Sequence, residues 1–71
     1  MITIQKVEHT ESYRGKQENN YINVELRGLS TDTKPTTING ENIDNGSTFI
    51  EIDTGKIYFY DLENEEWKEV A

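Results

Sequence analysis

The segment Tyr21-Ile22-Asn23-Val24-Glu25-Leu26-Arg27 alternates apolar and polar side chains without a break. A two-residue period places Ile22, Val24 and Leu26 on one face of a β-strand and leaves the other face to water. Nothing in the chain repeats apolar residues at the spacing of an amphipathic helix. Strand-like segments recur instead. Ile2–Val7 is rich in β-branched residues and brings Ile2 and Ile4 to one side. Further on, Ser47–Ile52 and Ile57–Tyr60 flank Asp53-Thr54-Gly55-Lys56, and Glu66–Val70 is a short last segment. These features predict an all-β fold: a small antiparallel meander of about five strands, as an open sheet or small barrel, with no substantial helix.

A chain of 71 residues makes one domain, 1–71. It divides into N-terminal strands (2–29), a turn-rich loop (30–46) and a C-terminal meander (47–70). The polar stretch from His9 to Asn20, with Gly15, reads as a further loop or long hairpin connection. Residues 28–46 hold few strand formers, many turn formers and the single proline, Pro35, and Asn45-Gly46 signals a turn into the next strand.

A domain this small buries only about 60% of its unfolded surface, so small scaffolds usually add a staple. There is no cysteine, and His9 is the only histidine, which excludes disulfides and a zinc site of His and Cys ligands. Association with further copies is the remaining remedy, so a homo-oligomer is expected.

The Asp-Thr-Gly-Lys hairpin has a readable register. Asp53 and Thr54 suit right-handed turn positions, and Gly55 suits the left-handed position of a three-residue loop with a bulge. Ile52 would then face Lys56, pairing Ile50 with Tyr58, Phe49 with Phe59 and Thr48 with Tyr60. One face would carry Phe49, Ile57 and Phe59, the other Ile50, Ile52, Tyr58 and Tyr60. Both are apolar, so this hairpin is expected to be covered on both sides, with Trp67 anchoring the last strand against it.

The net charge of −7 is concentrated. Residues 1–40 hold five acids and five bases, whereas residues 41–71 hold nine acids and only Lys56 and Lys68. That half would repel a phosphate backbone, so no nucleic-acid partner is expected. No apolar run approaches the roughly 20 residues of a membrane span, and the N-terminus lacks a secretory pattern. The expected location is cytoplasmic in the producing cell.

Catalytic constellations are missing from the sequence. The lone imidazole of His9 lies among polar residues, there is no phosphate-binding glycine loop, and carboxylate pairs such as Glu65-Glu66 mean little with fourteen acids in the chain. A non-enzymatic protein without cofactor or metal is predicted. The oxygen-rich run 39–46 lacks the alternating acids of a calcium loop and reads as turns. Asn45-Gly46-Ser47 matches the glycosylation triplet by chance. Tyr58, Tyr60 and Trp67 invite two readings, a stacking platform for a sugar or the core of a minimal sheet, and the shortness of the chain favours core. With the acids Glu63, Glu65 and Glu66 they form the candidate interaction surface.

Residues 28–36 (Gly-Leu-Ser-Thr-Asp-Thr-Lys-Pro-Thr), the run Asn45-Gly46-Ser47-Thr48-Phe49-Ile50-Glu51-Ile52-Asp53-Thr54-Gly55-Lys56, and then Tyr58, Tyr60-Asp61, Glu63-Asn64 and Trp67 carry a resemblance. They resemble a group of short β proteins encoded by phages and prophages of Gram-positive bacteria. The same hairpin with its aromatics and Trp is similar to one in phage fibre-type virion proteins. The likeness spans residues 28–70 and implies a viral origin, a β-rich fold and a structural or accessory role, with the chain virion-associated. The expected function is therefore a phage structural, assembly or protein-interaction module, such as a head or tail fibre or capsid accessory component. The alternatives are a small acidic inhibitor of a host or defence protein, in which the acids imitate nucleic acid, and a carbohydrate-binding module built on the three aromatics.

Overall fold

The computed structural model describes residues 1–9 and 21–70; the connection expected at His9–Asn20 lies outside these residues except for the backbone of His9. The described residues form strands and turns with no helix, in a curled open sheet that makes half a barrel. The strands are β1 (Thr3–His9), β2 (Tyr21–Gly28), β3 (Thr37–Ile38), β4 (Glu41–Ile43), β5 (Thr48–Glu51), β6 (Ile57–Asp61) and β7 (Glu66–Glu69). The all-β expectation holds, with two strands more than the sequence suggested.

β2 is the spine. Its alternation is realised as read, with Ile22, Val24 and Leu26 buried and Glu25 and Arg27 exposed. β1 pairs antiparallel with it from Thr3↔Arg27 to His9↔Ile22, with a bulge between Ile4 and Lys6. Along the other edge β4 and β5 follow one another, both parallel to β2. The hydrogen bonds locate them on that one edge, because all use even-numbered residues of β2. Asp44 N donates to Ile22 O at 2.7 Å, Val24 N donates to Ser47 Oγ at 3.0 Å, and Ile52 N donates to Gly28 O at 2.8 Å. β4 and β5 thus behave as one strand broken at Asp44–Ser47. The Ser47 hydroxyl bridges the break, accepting from Val24 N and donating to Asp44 O at 3.0 Å.

These parallel pairs correct the expected antiparallel meander around β2. They arise because the chain crosses from the end of β2 back over the sheet before laying down β4. The crossing also corrects the reading of residues 28–46 as lacking strands. Within them Asn39 (φ 52°) and Gly40 (φ 80°) make a two-residue turn joining β3 to β4, with Ile38 opposite Glu41.

The β5–β6 hairpin slips by one residue from the expected register. Thr48 pairs with Phe59, Phe49 with Tyr58 and Ile50 with Ile57. The loop is four residues long, Ile52–Gly55, closed by Glu51 N to Lys56 O (2.9 Å) and Gly55 N to Glu51 O (2.8 Å). Gly55 takes the left-handed conformation (φ 77°), as read. Ile52, expected opposite Lys56, lies in the loop instead and donates its N–H to Gly28 O of β2 at 2.8 Å. A slip of one exchanges faces. Phe49, Tyr58 and Tyr60 now share the concave side, and Ile50, Ile57 and Phe59 the convex side.

Ile22, Val24, Leu26, Ile43, Phe49 and Tyr60 form the core in the concavity, with Ile2, Ile38, Tyr58, Leu62 and Trp67 packed around it. Each fully buried side chain of this kind contributes about 1.5–3 kcal/mol. Residues 29–36 cover the open side, where Trp67 Nε1 donates to Pro35 O at 2.8 Å.

Candidate interaction surface

The residues proposed from sequence divide between two places. Tyr58, Tyr60 and Trp67 lie in the concavity. Trp67 is opposite Tyr60 in the β6–β7 ladder, with ring centroids 5.0 Å apart, and meets Phe49 edge-on at 6.0 Å. Tyr60 is only 4% exposed, and burial pushes its phenol pKa up. Lys34 Nζ sits over the rings of Tyr58 (4.3 Å) and Phe49 (4.8 Å), in cation–π distance of both. Lys34 lies over one face of the Tyr58 ring and Tyr60 packs against Trp67, while Tyr58 and Trp67 both stay partly exposed.

Lys34 is held by an acid inside the same concavity. Its Nζ lies 2.7 Å from Oε2 of Glu51, which is buried and also accepts from Thr54 Oγ1 at 2.6 Å. The Lys34 ammonium above all, then the Thr54 hydroxyl, hold the Glu51 carboxyl below its ordinary pKa. Asp53 is lowered likewise by Ser30, and Asp32 by the Leu29 N–H.

Glu63 and Glu65 are exposed in the β6–β7 turn, and Glu66 at the start of β7. Lys68 Nζ reaches Glu66 Oε1 at 3.0 Å and Asp61 Oδ2 at 3.9 Å. Among the described residues no group of three or more His, Asp or Glu side chains is arranged to hold a metal ion.

The larger surface is one that the sequence reading assigned to the interior. The register sets two cross-strand rows on the convex face: Glu25–Thr48–Phe59–Lys68, and Arg27–Ile50–Ile57 continuing toward Val70, whose N–H donates to Ile57 O at 2.8 Å. Phe59 is 46% exposed, Ile52 62% and Val70 52%, with Ile50 and Ile57 half-buried between them. This corrects the expectation that the hairpin is covered on both sides. The signal was present, since the hairpin is apolar on both faces; what was missing was that a half-barrel covers only its concave side.

Arg27 ends one row. Lys6, Lys34, Lys56 and Lys68 each have a carboxylate within 4 Å, at Glu8, Glu51, Glu69 and Glu66. No ion pair involves Arg27 among the described residues. Beside it a shallow groove of about 450 Å³ opens between Thr3, Gln5, Leu29 and Ile52.

Comparison with protein-family models, with curated proteins and with solved structures gives no match for this chain.

Proposed function

We propose that this domain is a non-enzymatic, phage-derived structural or assembly module that works through its convex sheet face. The observation that supports this reading is the run of Ile50, Ile52, Ile57, Phe59 and Val70 at least partly open to solvent. Contiguous exposed apolar patches on small proteins mark interaction sites, and this one sits in a chain that is otherwise strongly charged. The hairpin resemblance to phage proteins supplies the assembly context. The test is mass spectrometry of particles and assembly intermediates released when the encoding phage or prophage is induced. The chain is expected in one of them at fixed stoichiometry; absence from both overturns the reading.

A second reading is favoured by the exposure of Glu63, Glu65 and Glu66 in and beside one turn: a soluble acidic inhibitor of a basic host or defence protein. Reversing these three charges would abolish such binding. Retention of a host protein by the reversed variant removes this alternative.

A further inference from the structure

We propose that the convex face is an isologous interface with a second copy of this chain, closed by Arg27 of each copy against Glu25 of the other. The inference rests on the convex face being the working surface and adds which molecule covers it.

Charge and symmetry carry the argument. Glu25 and Arg27 are two residues apart on β2 and project from the same face, flanking the apolar part of the two rows, with Lys6 and Thr3 of β1 beyond them. A two-fold contact places the same patch on itself, so residue i meets j and j meets i. With the axis crossing the strands between the rows, each row faces the other row of the second copy. Arg27 then meets Glu25 twice, Ile57 meets Phe59 twice, Ile50 meets Thr48 twice, and Lys68 meets Val70 twice. The apolar side chains fall at the centre and the charged pair at the rim, which is the usual anatomy of an interface.

The opposite signs needed for a self-complementary rim are therefore present on one strand of one copy. Arg27 gains the carboxylate that the other described cations already have, and a guanidinium suits such a pair geometrically. The protein's longest extents, 39 and 21 Å, bound this face at about the 800 Å² per partner of a standard interface. Contact limited to four curved strands falls below that bound, so the dimer is weak and depends on concentration.

The test is light scattering after size exclusion on the full chain, from micromolar to millimolar concentration, with circular dichroism as a folding control. The wild-type mass should rise from 8.2 kDa toward twice that value. Arg27→Glu alone and Glu25→Arg alone should each weaken association about tenfold or more, and the double variant should restore it. Phe59→Asp should leave a folded monomer; if it misfolds, the exposed charge swap still decides. A wild-type monomer at millimolar concentration, a trimer or larger assembly, or a folded double swap that stays dissociated overturns the proposal. The assembly reading fails separately, by absence of the chain from particles and intermediates.

Discussion

Lys34 Nζ and Glu51 Oε2, seventeen residues apart in sequence, meet at 2.7 Å inside the half-barrel, with side chains 17% and 4% exposed. The pair ties the covering segment to the end of β5. Because the Glu51 carboxyl is lowered in the folded state, its contribution is present above the unfolded carboxylate range and is lost as pH falls through the folded value. Asp32, Asp53 and Asp61 are lowered too and act in the same direction. Stability should therefore fall below about pH 5. Glu51→Gln should lower stability at pH 7, by leaving Lys34 enclosed without its counter-charge, and should make the acid limb shallower. Denaturation midpoints from pH 7 to pH 3 check this; an unchanged acid limb in Glu51→Gln refutes it.

Ser47 is wholly buried and mends the break between β4 and β5 with one hydroxyl. Ser47→Ala strands the Val24 N–H and removes one bond to Asp44 O. A buried donor left unsatisfied costs about 1–3 kcal/mol, so a loss near 2 kcal/mol is expected. In a domain of this size that is about a 10 °C drop in Tm. Ser30→Ala, which removes an exposed hydroxyl bond to Asp53, should cost clearly less. Thermal melts of the two variants separate the cases, and equal losses would deny Ser47 its bridging role.

Gly28 is required by space rather than by backbone. A Cβ there would lie 2.8 Å from Phe49 Cζ, 2.9 Å from Asp32 Oδ2 and 3.2 Å from Ile2 Cγ1. Phe49 is fully buried and cannot swing aside, so Gly28→Ala should cost about 1–3 kcal/mol as overpacking. Phe49→Leu removes the clashing atom, so the double variant should be more stable than the sum of the single losses. Strict additivity in urea unfolding would show that the Phe49 contact is not the cause.

How much of this was legible depended on whether the determinant was local. The buried stripe Ile22, Val24 and Leu26 and the left-handed Gly55 follow from residues beside one another, and both read correctly. Asn39-Gly40 carried the same kind of turn signal, but its flanking strands, Thr37–Ile38 and Glu41–Ile43, are too short and polar to announce themselves. The hairpin register was not local. The hairpin is tied to β2 by a bond from Ile52 N–H to Gly28 O, and no period within 47–60 encodes that partner. The convex surface followed the register: once Phe49 and Tyr58 share a face, Phe59 must turn outward. Glu63 and Glu65 are exposed in the turn after β6 and Glu66 at the start of β7, and a turn after a strand is a local feature too.

Glu65 holds a left-handed backbone (φ 51°) at the last position of the four-residue β6–β7 loop, where the β5–β6 loop of equal length has Gly55 (φ 77°). A side chain costs about 1–2 kcal/mol in that conformation. Glycine avoids this but loses about 0.5–1 kcal/mol of backbone entropy. The difference favours Glu65→Gly by roughly 0.5–1 kcal/mol, a rise of several degrees in Tm. Removing a charge from beside Glu63 and Glu66 would also stabilise, so Glu65→Gln is the control: it removes the charge and keeps the strained backbone. Melting both variants in low and high salt separates the causes. Glu65→Gly should exceed Glu65→Gln at both salt concentrations. Equal gains that vanish in high salt would mean that repulsion, not the left-handed turn, is what Glu65 costs this domain.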